Sequence, residues 1–257
     1  ATGQWGRLSR TVRLKLTDPS RPPRSFYPGS GGARRDEGID EGATLLFWTR
    51  HAKSWFWFIP LPDDVVSVGV VGPLEHLLAN RTSDPRTVFD EELDNCPALQ
   101  ERLANAEQIL EVHAVRDFSY LSTRIAGDGW VLAGDAFGFL DPIYSTGVYL
   151  ALKSAELAAD SILSAFREND FSAARLGSHG DAYVAGMEAL RRLVYAYYDA
   201  NFSFHEFLER FPDCREDLVN FLIGNVFDRP VDRLFESMGE MCELPEARRL
   251  QVLEERG

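Results

Sequence analysis

The sequence has little of several things, and each shortage excludes a class of protein. Cysteine is scarce: Cys96, Cys214 and Cys242 are widely separated and odd in number. They form neither a disulfide framework nor a Cys-x-x-Cys pair, so they read as reduced thiols of a cytoplasmic protein. Five histidines, at 51, 76, 113, 179 and 205, show neither His-x-x-x-His nor Glu-flanked zinc spacing, and the spacing alone predicts no metal site. No stretch of about twenty apolar residues occurs, so neither a membrane span nor a signal peptide is expected. The longest candidate, beginning at Val148, is broken by Lys153, Glu156 and Asp160. Positive charge is short as well: 27 Lys and Arg stand against 40 Asp and Glu, a net charge of −13. Nucleic acid and anionic membrane surfaces are therefore poor partners, because both need a basic patch. Finally, no Gly-x-Gly-x-x-Gly occurs anywhere. Gly29-Ser30-Gly31-Gly32 lies among Pro22, Pro23 and Pro28, with no strand before it and no helix after it, and reads as loop.

The densest information lies between Gly129 and Phe166. Trp130-Val131-Leu132-Ala133 is a short unbroken apolar run, as expected of a strand buried on both faces. It stops at Gly134-Asp135, and an acid just beyond the carboxyl end of a strand is well placed to hold a sugar-like hydroxyl. Gly138, Asp141-Pro142 and Ser145-Thr146-Gly147 follow. From Val148 the apolar residues Leu152, Ala155, Ala159, Ile162 and Phe166 fall at helical spacing, predicting a long buried helix with that stripe inward. The unpaired N–H groups of its first turn favour an anion or an electron-rich ring edge, and Gly147 leaves room for a ligand to approach.

Upstream, Ala43–Thr49, Trp55–Leu61 and Val65–Val71 are short runs rich in aromatic and β-branched residues, predicting an antiparallel meander. The middle run is Trp55-Phe56-Trp57-Phe58-Ile59-Pro60. Alternation puts Trp55, Trp57 and Ile59 on one face and Phe56 and Phe58 on the other, and both apolar faces need cover. Asp84-Pro85 and Pro97 are helix starts. Residues 7–15 fit a strand or a short helix equally. Residues 109–120 read as a strand leading back to Trp130, with Arg116 and Asp117 placed either for a ligand or for a strand-end ion pair. The residues after the core helix are helical, with Val184, Met187, Leu190, Val194 and Tyr198 on one face. His205, in an aromatic cluster with Phe202, Phe204 and Phe207, reads as a core histidine.

Two groups of residues carry a family resemblance. Gly134-Asp135-Ala136, Asp141-Pro142 and Ser145-Thr146-Gly147-Val148 resemble the second FAD-binding motif of the flavoprotein monooxygenase superfamily, and Trp55 to Pro60 resembles the Trp-x-Trp-x-Ile-Pro signature of flavin-dependent halogenases. The resemblance implies FAD, in its reduced form, as reactant and chloride as halide. Gly134, Asp135, Pro142, Gly147 and Val148 would contact the cofactor, with Asp135 on the ribityl chain and Pro142 beside the flavin ring. Thr146 and Gly147 would bind chloride, and Trp55 and Trp57 would form the catalytic wall between flavin and substrate. Ala1-Thr2-Gly3-Gln4 resembles a segment found mid-chain in these flavoproteins, which adds Gly3 to the cofactor set and implies that the Gly-x-Gly-x-x-Gly part, with the catalytic lysine, precedes this chain.

The fold so implied is mixed α+β and α/β, the C-terminal part of a two-domain FAD-dependent oxidoreductase. It divides into a substrate-domain sheet with flanking helices (1–118), a flavin-binding strand, loop and long helix (119–170) and a C-terminal helical region (171–257). The activity implied is chlorination of an aromatic small molecule or a carrier-protein-tethered aryl group through a flavin hydroperoxide and hypochlorous acid, with a separate flavin reductase as partner. Where tryptophan halogenases carry a glutamate before Ser-Thr-Gly, this chain has Tyr144, which argues against free tryptophan as substrate. Two other readings stay open: a related oxidoreductase, such as a geranylgeranyl-reductase-like enzyme or a monooxygenase, and a fragment with no activity alone.

Overall fold

The computed structural model describes residues 11–16, 27–28, 42–51, 54–78, 84–116, 119–199, 201–227 and 231–246. Gly3 and Asp117 lie outside them, as does the segment from residue 247. The chain divides at Phe118 and Ser119 into two compact units. Both α-helix and antiparallel sheet are present, the mixed α/β class expected.

The first unit is built on an antiparallel sheet in which β1 (Thr11–Leu16), β3 (Leu45–Trp48), β4 (Trp55–Leu61), β5 (Val65–Pro73) and β6 (Val112–Arg116) run in the order β3-β4-β5-β1-β6. A short β2 (Tyr27–Pro28) pairs with β5. Residues 11–16 are thus strand, the choice their sequence left open, and they sit between β5 and β6. On β4, Phe56 and Phe58 are fully buried with Val68, Val88, Phe89 and Leu99. Burial of each large apolar side chain contributes roughly 1.5–3 kcal/mol. The helices covering them are α2 (Pro85–Asp94) and α3 (Pro97–Leu103), each opened by proline; a four-residue turn α1 (Leu74–Leu77) follows β5. The Asp84 side chain caps α2 by accepting from the Thr87 N–H at 3.0 Å.

On the other face of β4, Trp55 and Trp57 are buried and meet edge to face at 6.5 Å. Trp57 pairs across the strands with Gly69, and its indole lies where a Gly69 side chain would be: an added Cβ would come within 1.9 Å of the ring. The indole N–H donates to Ser67 Oγ at 3.1 Å.

The second unit is mainly helical: α4 (Gly147–Glu168), α5 (Ala173–Leu176), α6 (Gly180–Tyr198), α7 (Phe204–Arg210), α8 (Arg215–Leu222) and α9 (Asp232–Gly239). Helix α6 supplies the core, with Tyr183, Val184, Met187, Leu190 and Val194 buried. Tyr183 stacks on Phe227, whose ring in turn occupies the space beside Gly186. Glu188 and Arg191 form a buried ion pair at 2.6 Å, and Arg191 also donates to the Glu246 carbonyl.

Four expectations are corrected here. The Trp130 run is not a strand buried on both faces: β9 is only Trp130–Val131, a hairpin partner of β8 (Ala126–Gly127), and Trp130 is 42% exposed with its indole over Gly127. Nor is the stripe of α4 inward. Leu150, Ser154, Ala158, Ser161 and Ala165 are buried, while Val148, Leu152 and Phe166 are 68–74% exposed. Small residues take the inner face because the helix backbone runs close to its neighbours. His205 is not core: its side chain is exposed and faces Glu209 one helical turn on, at 3.4 Å. Residues 109–120 also fail to run as one strand into Trp130, since β6 pairs with β1 and a separate β7 (Tyr120–Leu121) begins the second unit.

The packing of Trp57 on Gly69 gives a direct test. Gly69→Ala must expel the indole from its seat, and overpacking of this kind costs about 1–3 kcal/mol. A urea-unfolding midpoint equal to that of the unmutated protein would show that the ring is free to move aside.

Candidate functional site

The site is built around the turn that links β9 to α4. Gly134 adopts φ +54°, a left-handed conformation that glycine enters without steric cost. An added Cβ would stand 3.0 Å from Ala151 Cβ, so the turn and the first part of α4 touch. The Gly134 N–H donates to Ser154 Oγ at 2.7 Å, and Ser154 donates to the Ala151 carbonyl. This one side chain satisfies a buried backbone donor and sets the inward face of the helix. Asp135 follows in a short 3-10 turn, Gly134–Ala136, and is exposed. Its backbone carbonyl accepts from the Tyr120 hydroxyl.

The loop from 134 to 140 is clamped by β7. Tyr120 and Leu121 pair with β10 (Gly138–Phe139), the Ser122 N–H donates to the Phe137 carbonyl at 2.7 Å, and the Ser119 hydroxyl donates to the Leu140 carbonyl. Asp141 is buried and accepts from the Ile143 N–H at 2.9 Å and the Tyr198 hydroxyl at 3.2 Å, which holds the Asp-Pro turn in shape. Ser145 then takes φ +52°, unusual for a residue with a side chain, immediately before the helix.

At the start of α4, Thr146 is the N-cap and its side chain makes no capping bond. Among the described residues the helix therefore opens with backbone N–H donors that no side-chain cap fills, at the positive end of the helix dipole. Gly147 lies against the Phe139 ring, 3.3 Å from where its Cβ would be, and Val148 is exposed. An exposed carboxylate at Asp135 and the uncapped N–H groups at Gly147 and beyond thus belong to one strand, turn and helix. The first matches hydroxyls and the second an anion.

Tyr144 sits beside this turn, edge to face with Tyr197 at 5.8 Å. Its hydroxyl is buried and has no hydrogen-bond partner among the described residues. Burial, and then Tyr197 and Asp141, push its ionisation well above the usual phenol range, so it stays protonated.

Of the residues singled out in the sequence, Gly134, Asp135, Pro142, Thr146, Gly147 and Val148 lie together along this segment of the second unit. Trp55 and Trp57 belong to the sheet of the first unit. Sequence reasoning missed Ser154, Tyr120 and Tyr198, which hold the turn. Only Ser154 carried a signal, a hydroxyl inside an otherwise apolar helical run.

With this geometry in view, comparison with known proteins is specific. The family model described as Tryptophan halogenase matches residues 47–206. The chain belongs to that family of flavin-dependent halogenases. It is 35% identical over 209 residues to the 1H-pyrrole-2-carbonyl-[peptidyl-carrier protein] brominase of Pseudoalteromonas luteoviolacea, covering 79% of this chain and 49% of that protein. It is 30% identical over 195 residues to the corresponding chlorinase of Pseudomonas fluorescens, covering 76% and 43%. The chain spans about half the length of these curated relatives. The solved structure of the flavin-dependent brominase Bmp2 superposes with a TM-score of 0.75 at 26% identity, over 91% of this chain and 56% of that one. The myxobacterial chondrochloren halogenase CndH gives 0.63 at 26%, over 88% and 51%.

The two hydroxyls at this turn should respond oppositely to deletion. Ser154→Ala strands the buried Gly134 N–H and should cost about 1–3 kcal/mol, whereas Tyr144→Phe removes a buried, unpaired hydroxyl and should be neutral or stabilising by up to ~1 kcal/mol. Chemical denaturation of both variants decides the matter, and equal losses would contradict the hydrogen-bond assignments.

Proposed function

We propose that this protein serves in the halogenation of an aromatic ring, with reduced FAD as reactant, and that the ring is presented on a carrier protein. The observation that carries the reading is the pairing of an exposed Asp135 carboxylate with an uncapped helix start at Gly147, in a chain of the halogenase family. The carrier-tethered substrate is taken from the two relatives named as acting on pyrrole-2-carbonyl groups bound to a peptidyl-carrier protein. Either chloride or bromide fits, since one relative is a chlorinase and the other a brominase.

The residues present suit the sugar and ring portions of FAD. Asp135 would accept from ribityl hydroxyls, Gly134 keeps the turn close to the helix, and Pro142 and Val148 offer apolar edges beside a flat ring. The 257 residues contain no Gly-x-Gly-x-x-Gly loop for the pyrophosphate. When bound, reduced FAD would supply the oxygen chemistry that turns halide into an electrophilic halogen. The chain's own contribution is preorganisation. Backbone donors at Thr146 and Gly147 would hold the halide without reorganising. Trp57, locked by Gly69 and Ser67, and Trp55, packed edge to face against it, would present the aromatic wall that the family signature implies. Tyr144, uncharged, stands where tryptophan halogenases carry a carboxylate, so no anion is offered to an indole there. A separate reductase would supply the reduced flavin, and the three free thiols suit the cytoplasm.

The test is an assay of the protein at its full natural length with reduced FAD, oxygen, halide salt and pyrrole-2-carbonyl carrier, read by mass spectrometry. A halogen isotope pattern that depends on added chloride or bromide is expected. Asp135→Asn should weaken FAD binding about tenfold, or ~1.4 kcal/mol. Trp55→Ala should lower halogenation at least as much while leaving FAD affinity unchanged. An oxygenated, halogen-free product would sink the halogenase reading, and full activity in Trp55→Ala would remove the wall.

A further inference from the structure

A second cluster of chemically competent side chains lies in the sheet unit. Glu92, in the middle of α2, is completely buried, an unusual place for a carboxylate. Its Oε2 accepts from the Ser54 hydroxyl, and its two oxygens lie 3.1 and 3.2 Å from His76 Nε2. His51 joins them from the connection between β3 and β4, its ring edge to face with that of His76 at 5.2 Å. Ligand atoms of His51, His76 and Glu92 all lie within 4.8 Å of one another.

Two imidazoles and a carboxylate from three different elements are a ligand set for a divalent transition metal, and zinc sites of this kind leave a fourth position for water. Metal bonds of about 2.0–2.1 Å place neighbouring tetrahedral ligand atoms roughly 3.3 Å apart. The His76–Glu92 separation already meets that value. Closing His51 onto the same centre needs a shift of at most about 1.5 Å, within the reach of a side-chain rotation.

The surroundings support the ligands as metal sites require. The Ser54 hydroxyl donates to the carboxylate and helps fix its orientation. The connection bearing His51 is tied down at both ends: the Thr49 N–H donates to the Ser54 carbonyl at 3.1 Å, Thr49 Oγ1 donates to the same carbonyl at 3.0 Å, and the Arg50 N–H donates to the Asn95 carbonyl, at the end of the helix carrying Glu92, at 2.8 Å. We propose that His51, His76 and Glu92 bind one divalent transition-metal ion, zinc by preference, which staples the β3–β4 connection to α1 and α2 at the point where Trp55 begins β4.

The test uses purified protein stripped with chelator, then titrated with Zn2+ by calorimetry and with Co2+ by visible spectroscopy. One equivalent should bind, and the cobalt form should show d–d bands without the thiolate charge-transfer band that Cys96, Cys214 or Cys242 would produce. His51→Gln and His76→Gln should each weaken binding at least tenfold, while Cys242→Ser leaves it unchanged. Metal-free melting of His51→Gln should match that of the unmutated protein, which separates lost ligation from lost folding. No bound equivalent, undiminished affinity in His51→Gln, or a thiolate band would each overturn the site. The first of these would leave Glu92 held by its protein partners alone. None of these outcomes depends on whether the protein halogenates.

Discussion

The contact between Gly134 and the first turns of α4 is the constraint on which the second unit depends. A left-handed glycine lets the loop approach so closely that a Cβ at position 134 would stand 3.0 Å from Ala151 Cβ, and Ser154 accepts from the Gly134 N–H. Once that contact is made, the rotation of α4 is set. Leu150, Ser154, Ala158, Ser161 and Ala165 must face inward, and the larger apolar residues must face out. The same contact fixes where the helix begins, and therefore where its unfilled N–H groups stand relative to Asp135. The chemistry of the turn follows from a packing requirement, since a side chain at position 134 would separate the acid from the helix start.

In the sheet unit the equivalent constraint is that β4 is apolar on both faces. One face is closed by helices bearing Val88, Phe89 and Leu99. On the other, Trp57 is immobilised by what lies across the strands, the absence of a side chain at Gly69 and the hydroxyl of Ser67, and Trp55 packs edge to face against it. Rigid aromatic walls need this support, because an indole with an empty seat beneath it has rotamers to choose from. A short aromatic signature therefore depends on residues one strand away that no motif includes.

Local features were legible in the residues themselves. The meander, the proline-led helices α2 and α3, the division of β4 into a Phe face and a Trp face, and the order of Gly134, Asp135, Pro142 and Gly147 all rest on period-two alternation, helix-start chemistry or residue types that tolerate special backbone angles. These effects act over a few residues. The errors share one cause, that a hydrophobic stripe shows which residues like to be buried but not what is available to bury them. Helix α4 turned its stripe outward because small residues allow closer backbone approach, and His205 stands exposed although its neighbours are aromatic.

What the sequence alone determined is the meander, the proline-led helices, the family and the residue types proposed to hold a flavin and a halide, because these are encoded in adjacent residues. Only the tertiary structure decided which face of α4 is inward, that Ser154, Tyr120 and Tyr198 hold the turn, that the Tyr144 hydroxyl is buried, and that His51, His76 and Glu92 converge. Those facts join residues distant in the chain, and their geometry is set by which surfaces pack, a global minimisation that no local spacing rule records.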